Sequence, residues 1–310
     1  MKLVVDTDTG IDDALALILV ASRPDVDLVA VTTTHGNCTT EAATANAGHV
    51  LSVCGLGSVP VTGGLSAPLV GELSTAWFVH GHDGLGDCGE APPPAPVAAP
   101  GATAVEALLA LAAPDVHLLA LGPLTNLGAA LRVDPGVLGR FGGVTVMGGT
   151  GRRLLPGEPD PTGGIGDPNT YHDAEAARLV AAADDADATL VGVDVTVGAV
   201  AGASYLARIE AAATDHGRLA ARIIRFYVDF YEQAYGRRAL TLHDPLAAMV
   251  AVGMDIGATF VSGHAVVEGP VGEERCVIVD EPGRVTRALS GCDVEVVAEA
   301  MVVALEQPLP

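Results

Sequence analysis

Four carboxylates crowd into eight consecutive positions near the start of the chain, in Val4-Val5-Asp6-Thr7-Asp8-Thr9-Gly10-Ile11-Asp12-Asp13-Ala14. Asp6 and Asp8 share strand parity, so an extended run turns both to one side. Gly10 permits a sharp turn that swings Asp12 and Asp13 back toward Asp8. Both then fall in a first helical turn, where the helix dipole favours negative charge. A lone Asp pair ahead of a helix is ordinarily a cap. Four anions this close repel one another in a partly buried cleft, and a hard divalent cation resolves the conflict. All-oxygen ligation with no neighbouring Cys or His suits Ca²⁺ or Mg²⁺ rather than Zn²⁺.

Such a cluster needs a scaffold, and the hydrophobic pattern supplies one. Leu3–Val5, Leu28–Thr34, Val116–Leu121, Val144–Met147 and Leu190–Val193 read as short apolar strands. Helical stretches at Asp12–Ala21, Glu41–Cys54, Leu124–Leu131 and Ala174–Ala183 alternate with them. This rhythm predicts an α/β fold with a mostly parallel, Rossmann-like central sheet covered by helices on both faces. Ligands of such sheets bind at the carboxyl ends of the strands, where Asp6 and Asp8 stand. The last third reads differently. Helices are predicted at Gly217–Tyr235, Pro245–Val252 and Val294–Leu305, with a smaller antiparallel element from Val261–Val267, Cys276–Val279 and Val285–Ala288. With no internal repeat and no convincing linker, residues 1–310 read as a single domain.

Composition narrows the function. Of 310 residues, 49% are hydrophobic, enough for a large core, and the net charge of −22 repels nucleic-acid phosphates and anionic lipid alike. Neither nucleic acid nor membrane is an expected partner. No apolar run approaches the ~20 residues a bilayer requires, and Asp6 and Asp8 interrupt the N-terminus too early for a signal peptide. Five cysteines without a Cys-x-x-Cys pair argue against a disulfide framework or thiolate zinc site and for a cytoplasmic setting. Two long segments, Gly81–Gly101 with its Ala91-Pro92-Pro93-Pro94-Ala95-Pro96 run and Gly148–Asn169, read as lids or surface loops.

An Asp-x-Asp after an apolar strand also suits a Mg²⁺-dependent phosphatase of the haloacid dehalogenase type, but the second Asp pair and Gly10 depart from that pattern. The segment Asp6–Ala14 resembles the N-terminal fingerprint of the nucleoside hydrolases, in particular the inosine-uridine preferring kind. The likeness continues in order through Thr32-Thr33-Thr34-His35-Gly36-Asn37, Leu121-Gly122-Pro123-Leu124-Thr125-Asn126 and Val146-Met147-Gly148-Gly149, then Asp167-Pro168-Asn169 and Leu242-His243-Asp244-Pro245. It implies the nucleoside hydrolase fold and Ca²⁺-dependent cleavage of a ribonucleoside to free base and ribose. By the same resemblance Asp8, Asp13, Asp244 and the Leu121 carbonyl hold Ca²⁺, and Asp6 orients its neighbours. Asp12, Asn37, Asn169, Met147 and His80 contact the substrate.

Under that resemblance, Asp8 deprotonates the attacking water and His243 assists departure of the base, since imidazole titrates near the working pH. Trp77 either stacks on the base or packs its loop, and His82 is a weaker contact. Asp167 stands where the family usually places a Glu on the ribose 5′-hydroxyl, one methylene shorter. A homodimer or homotetramer and a role in nucleoside salvage are further implications. A non-catalytic nucleoside- or ribose-binding protein is the third reading.

Overall fold

The computed structural model describes residues 1–92, 103–153, 157–183, 185–280 and 285–310. The core of the proline-rich run lies outside the described residues. The chain opens with strand β1 (Lys2–Thr7), helix α1 (Ile11–Ala21), β2 (Asp27–Thr33), α2 (Thr40–Val53), β3 (Val61–Gly63) and the short α3 (Trp77–His80). It continues with α4 (Ala104–Leu111), β4 (Val116–Ala120), α5 (Thr125–Val133), β5 (Gly143–Met147), α6 (Pro168–Tyr171), α7 (Ala174–Ala181) and β6 (Ala188–Val191). Then come α8 (Val193–Thr196), β7 (Val200–Ala201), α9 (Ala203–Glu210), α10 (Asp215–Tyr235), β8 (Leu240–Thr241) and α11 (His243–Ala251). Strands β9 (Thr259–Glu268), β10 (Arg275–Val279) and β11 (Thr286–Gly291) and helix α12 (Val294–Glu306) complete it.

Nine strands form one sheet in the order β10-β9-β11-β6-β5-β4-β1-β2-β3. Every pairing from β3 to β11 is parallel, and only β9 runs against its neighbours. The antiparallel strands expected near the C-terminus thus extend the main sheet, while β7 and β8 make a separate two-stranded pair. Alternate residues of β1 feed opposite faces. Leu3 and Val5 join a core with α1, α10, α11 and α12, whereas Val4 joins one with α5 and α7. Burial on both faces explains why these strands read as unbroken apolar runs.

The sequence reading misses helices α3, α4, α6, α8 and α9 and the short strands β3, β7 and β8, and it places the strand that is β6 at Leu190–Val193, two residues too far along. Val193 opens α8 instead, its N–H donating to the Gly149 carbonyl. Apolar β-branched residues around a single glycine carry no periodicity that separates a strand end from one helical turn.

After β1 the chain builds β2 and β3 on one side, then returns to place β4 on the other. The strand order therefore reverses between β1 and β4, the kind of crevice where α/β sheets bind ligands. Helix α1 is buried along its whole length and packs on α11, which carries Asp13 and Asp244 toward each other from opposite ends of the sequence. Among the described residues no helix is long and apolar enough to cross a membrane.

Candidate active site and metal centre

The acidic cluster forms at the carboxyl end of β1, where the chain turns at Gly10 into α1. Asp13 caps that turn: one carboxylate oxygen accepts from the Gly10 N–H at 2.9 Å and the Asn37 side-chain amide at 2.8 Å, the other from the Thr7 hydroxyl. Asp8 Oδ2 accepts from the Asn37 backbone N–H at 2.7 Å, while its Oδ1 has no partner. Asn37 therefore ties Asp8 to Asp13. Asp12 Oδ2 accepts from the Tyr227 hydroxyl at 3.2 Å, and its Oδ1 is also unpartnered. Asp6 lies deeper and accepts from Thr32 at 2.5 Å and Asn126 at 2.8 Å, which locks the strand ends together.

Burial makes ionisation of this cluster costly. It pushes Asp6 up to about 6 against the pull of Thr32 and Asn126. Burial and then the Asp13 charge push Asp12 to about 7. Asp8 and Asp244 rise well above the ordinary carboxylate range, burial first and neighbouring carboxylates second. Carboxylate oxygens of Asp12, Asp13 and Asp244 lie within 4.8 Å of one another. Three buried acids at this separation, with two orphaned oxygens beside them, fit a hard divalent cation. The threesome contains Asp12 rather than Asp8, so one residue expected on the sugar is here a candidate ligand. The Leu121 carbonyl accepts from the Asn169 amide at 2.5 Å and retains a second lone pair.

Glycine makes room for Asp8. Gly36, at φ +150, and Gly122 flank its carboxylate; a Cβ on Gly36 would collide with Oδ2 and lie 2.8 Å from Pro123. Gly36→Ala is expected to leave the sheet intact and cut turnover on the order of a hundredfold, the scale of a ~1 Å misplacement of a reacting group. Matched melting curves and kcat measurements check it; near-normal kcat would show that Asp8 need not be held there.

A cavity of about 270 Å³ opens over the cluster. Nine of the eleven residues anticipated from sequence line it: Asp12, Asn37, His80, Leu121, Met147, Asp167, Asn169, His243 and Asp244. Asp8 and Asp13 are reached through Asn37. His80 Nδ1 accepts the Ile11 N–H at 3.1 Å, so Nε2 carries the proton; burial lowers its pKa to about 3 and keeps the ring neutral. The Asn169 amide bridges the carbonyls of Leu121 and Met147, joining the ends of β4 and β5. Asp167 Oδ2 is occupied by the N–H groups of Gly149 and Cys276, at 3.0 and 2.9 Å. It ties the Gly-rich loop to β10.

His243 differs from its expected character. Burial lowers its pKa to about 4, away from the working range anticipated for it. The Thr196 hydroxyl lies 2.6 Å from Nδ1 and the Tyr231 hydroxyl 2.8 Å from Nε2. Trp77 is half exposed, stacks on His82 at 4.9 Å and does not line the cavity. Its neighbour Phe78 does, together with Tyr227, Phe230, Tyr231 and Tyr235 of α10. Sequence reasoning passed over this aromatic wall. The available signal was the spacing on α10, which holds five of the chain's ten Phe and Tyr residues, with 227, 231 and 235 one turn apart.

The sequence profile of the inosine-uridine preferring nucleoside hydrolases matches residues 3–303. A probable uridine nucleosidase 2 of Arabidopsis thaliana is 34% identical over 86% of this chain and 82% of its own. An inosine-uridine preferring nucleoside hydrolase of Leishmania major is 32% identical over 81% and 78%. Among solved structures, a plant nucleoside hydrolase superposes with a TM-score of 0.88 at 28% identity, covering 99% of both chains. A purine-preferring ribonucleoside hydrolase from Gardnerella vaginalis superposes at 0.85 with 25% identity over 99% and 98%. The phosphatase alternative finds no support in these likenesses. A switch-point cavity floored by buried acids and this agreement along the whole chain lead to one conclusion: the protein belongs to the inosine-uridine preferring nucleoside hydrolase family, enzymes that hydrolyse N-ribosyl bonds.

Proposed function

We propose that the protein hydrolyses ribonucleosides with a Ca²⁺ ion held by the acidic cluster, releasing free base and ribose. The observation that carries this reading is the approach of Asp12, Asp13 and Asp244 within 4.8 Å beside two unpartnered buried carboxylate oxygens. Asp8, Asp12, Asp13, Asp244 and the Leu121 carbonyl are the residues that would hold the ion. Bound there, Ca²⁺ would acidify a water and grip the vicinal hydroxyls of the ribose. Oxygen-only donors support Ca²⁺ over softer ions.

The chain's own residues do the rest. Asp8 Oδ1, free of other partners, takes the proton of the attacking water, help typically worth ~10²–10⁴-fold. Asn37 holds that carboxylate in place through its backbone N–H. The aromatic wall of α10 excludes water from the face on which the base departs. As the C–N bond lengthens, charge grows on the base nitrogen. The Tyr231 hydroxyl, backed by His243, is the donor in the cavity wall that meets it. The base takes its final proton from solvent, and Asp8 returns one. By the family resemblance, a homodimer or homotetramer in the cytoplasm serving nucleoside salvage completes the reading.

The test is a nucleoside panel assayed for free ribose with and without added Ca²⁺. Ribose released only with the ion supports the reading; tight ion-dependent binding without turnover supports the binding-protein alternative. His243→Gln should slow inosine or uridine cleavage on the order of a hundredfold and spare a nitrophenyl riboside, whose leaving group needs no donor. Equal slowing of both would remove His243 from base departure.

A further inference from the structure

Thr196 closes α8 and is completely buried. Its hydroxyl has one hydrogen-bond partner among the described residues, Nδ1 of His243 at 2.6 Å. A hydroxyl in that position has one proton to place. If Nδ1 carried a proton and donated it to Thr196, the threonine O–H would be left in the interior with no acceptor, at the full cost of an unmade hydrogen bond. If Thr196 donates to a bare Nδ1, Thr196 and both ring nitrogens are satisfied, and the hydroxyl left to find an acceptor is that of Tyr231, which lines the cavity, rather than one sealed in the interior. The ring proton then resides on Nε2, which donates to the Tyr231 oxygen 2.8 Å away. That oxygen is thereby engaged as an acceptor, and the Tyr231 O–H is left to donate on the cavity side, where the Tyr227 hydroxyl is its hydrogen-bonding neighbour until a base enters. Tyr231 and His243 both line the cavity, whereas Thr196 does not.

We propose that Thr196 is a positioning residue that fixes the tautomer of His243 and so orients the donors Thr196, His243 and Tyr231 in one direction, toward the departing base. With the direction reversed, Tyr231 would donate to Nε2 and present only an oxygen lone pair to a base gaining negative charge. The right direction makes each bond polarise the next. No proton is consumed in this arrangement and no bond is made or broken by Thr196. It decides which end of the series faces the substrate. The inference rests on the reading of His243 and Tyr231 in base departure given above.

The experiment uses the full chain loaded with Ca²⁺. Long-range ¹H–¹⁵N spectra of histidine-labelled protein, with the His243 signals assigned by their loss in His243→Gln, report which ring nitrogen is protonated. The expected result is protonated Nε2 and bare Nδ1 in the parent protein, and loss of this pattern in Thr196→Val. That variant matches threonine in shape and deletes only the hydroxyl. Its kcat for inosine or uridine should fall tenfold or more on the general acid–base scale, with nitrophenyl riboside cleavage unchanged. Thr196→Ser should restore both spectrum and rate. A protonated Nδ1 in the parent protein overturns the proposal. So does equal slowing of both substrates, which would make Thr196 a packing residue only. If the parent protein releases no ribose from any riboside, the function proposed above fails, while the spectra still decide the tautomer on their own.

Discussion

Asp8→Asn is expected to reduce kcat on ribonucleosides by ~10²–10⁴-fold, the usual contribution of a positioned general base. The substitution keeps an oxygen to accept the Asn37 N–H and deletes the charge at Oδ1, the one carboxylate oxygen of Asp8 left without a partner. The variant should lose activity without losing the fold. Asp8 is ionised only with difficulty, because burial and the charges of Asp13 and Asp12 penalise it. Removing that charge relieves repulsion in the chelated protein, so its melting temperature should hold or rise. Kinetics and melting curves on the same preparation separate the two effects. Parent-like turnover would strike Asp8 from the mechanism. An inactive variant that also melts far lower would make Asp8 a structural residue.

The second large effect concerns the ion. If the acidic cluster holds Ca²⁺ only in the folded state, chelation should lower stability by about 4 kcal/mol relative to free ion at a thousandfold excess over Kd. For a chain of this length that corresponds to about 6 °C in Tm. The gap should also depend on pH, with a sign the structure dictates. Asp6, Asp8, Asp12 and Asp244 titrate higher in the folded chain than in the unfolded one, with Asp6 at about 6 and Asp12 at about 7. The metal-free fold therefore retains protons that the unfolded chain releases, and its stability declines as pH rises from about 4 toward 7. His80 and His243, held at about 3 and about 4, act in the opposite sense, with stability lost as pH falls below 6.5. Above 6.5 their contribution is complete and the acids alone remain. From pH 6.5 to 7.5 the chelated protein should lose Tm, while ion binding, which needs deprotonated ligands, strengthens. The difference between loaded and chelated curves should widen across that interval. Parallel curves, or no difference at either pH, would show that the cluster is satisfied by its own protons.

Much of this site was written locally. Val4-Val5-Asp6 marks a strand end, Gly10 a turn and Asp12-Asp13 a helix start, and the structure builds those elements at those residues. The α/β alternation follows from apolar runs of strand length separated by helical periods, patterns that residues a few positions apart impose on each other. The order of the six short motifs carried the family.

What the sequence left open depends on distance and on water. Asp13 and Asp244 are 231 positions apart, and only the packing of α1 against α11 brings their oxygens together. His243 reads as an imidazole poised near neutrality; enclosure beneath Tyr231 and Thr196 lowers it to about 4, and no spacing of letters encodes that desolvation. Trp77 draws the eye as the lone tryptophan, yet its helical turn points it outward and offers Phe78 to the cavity. Asp167 reads as a sugar contact, and the approach of β10 occupies one of its oxygens with backbone N–H groups. The elements and the placement of the acids at a strand end are legible along the chain, because both are set by near neighbours. Which distant side chains share the cavity, and in what protonation state, follows from packing, because proximity and dehydration arise only when separate elements meet.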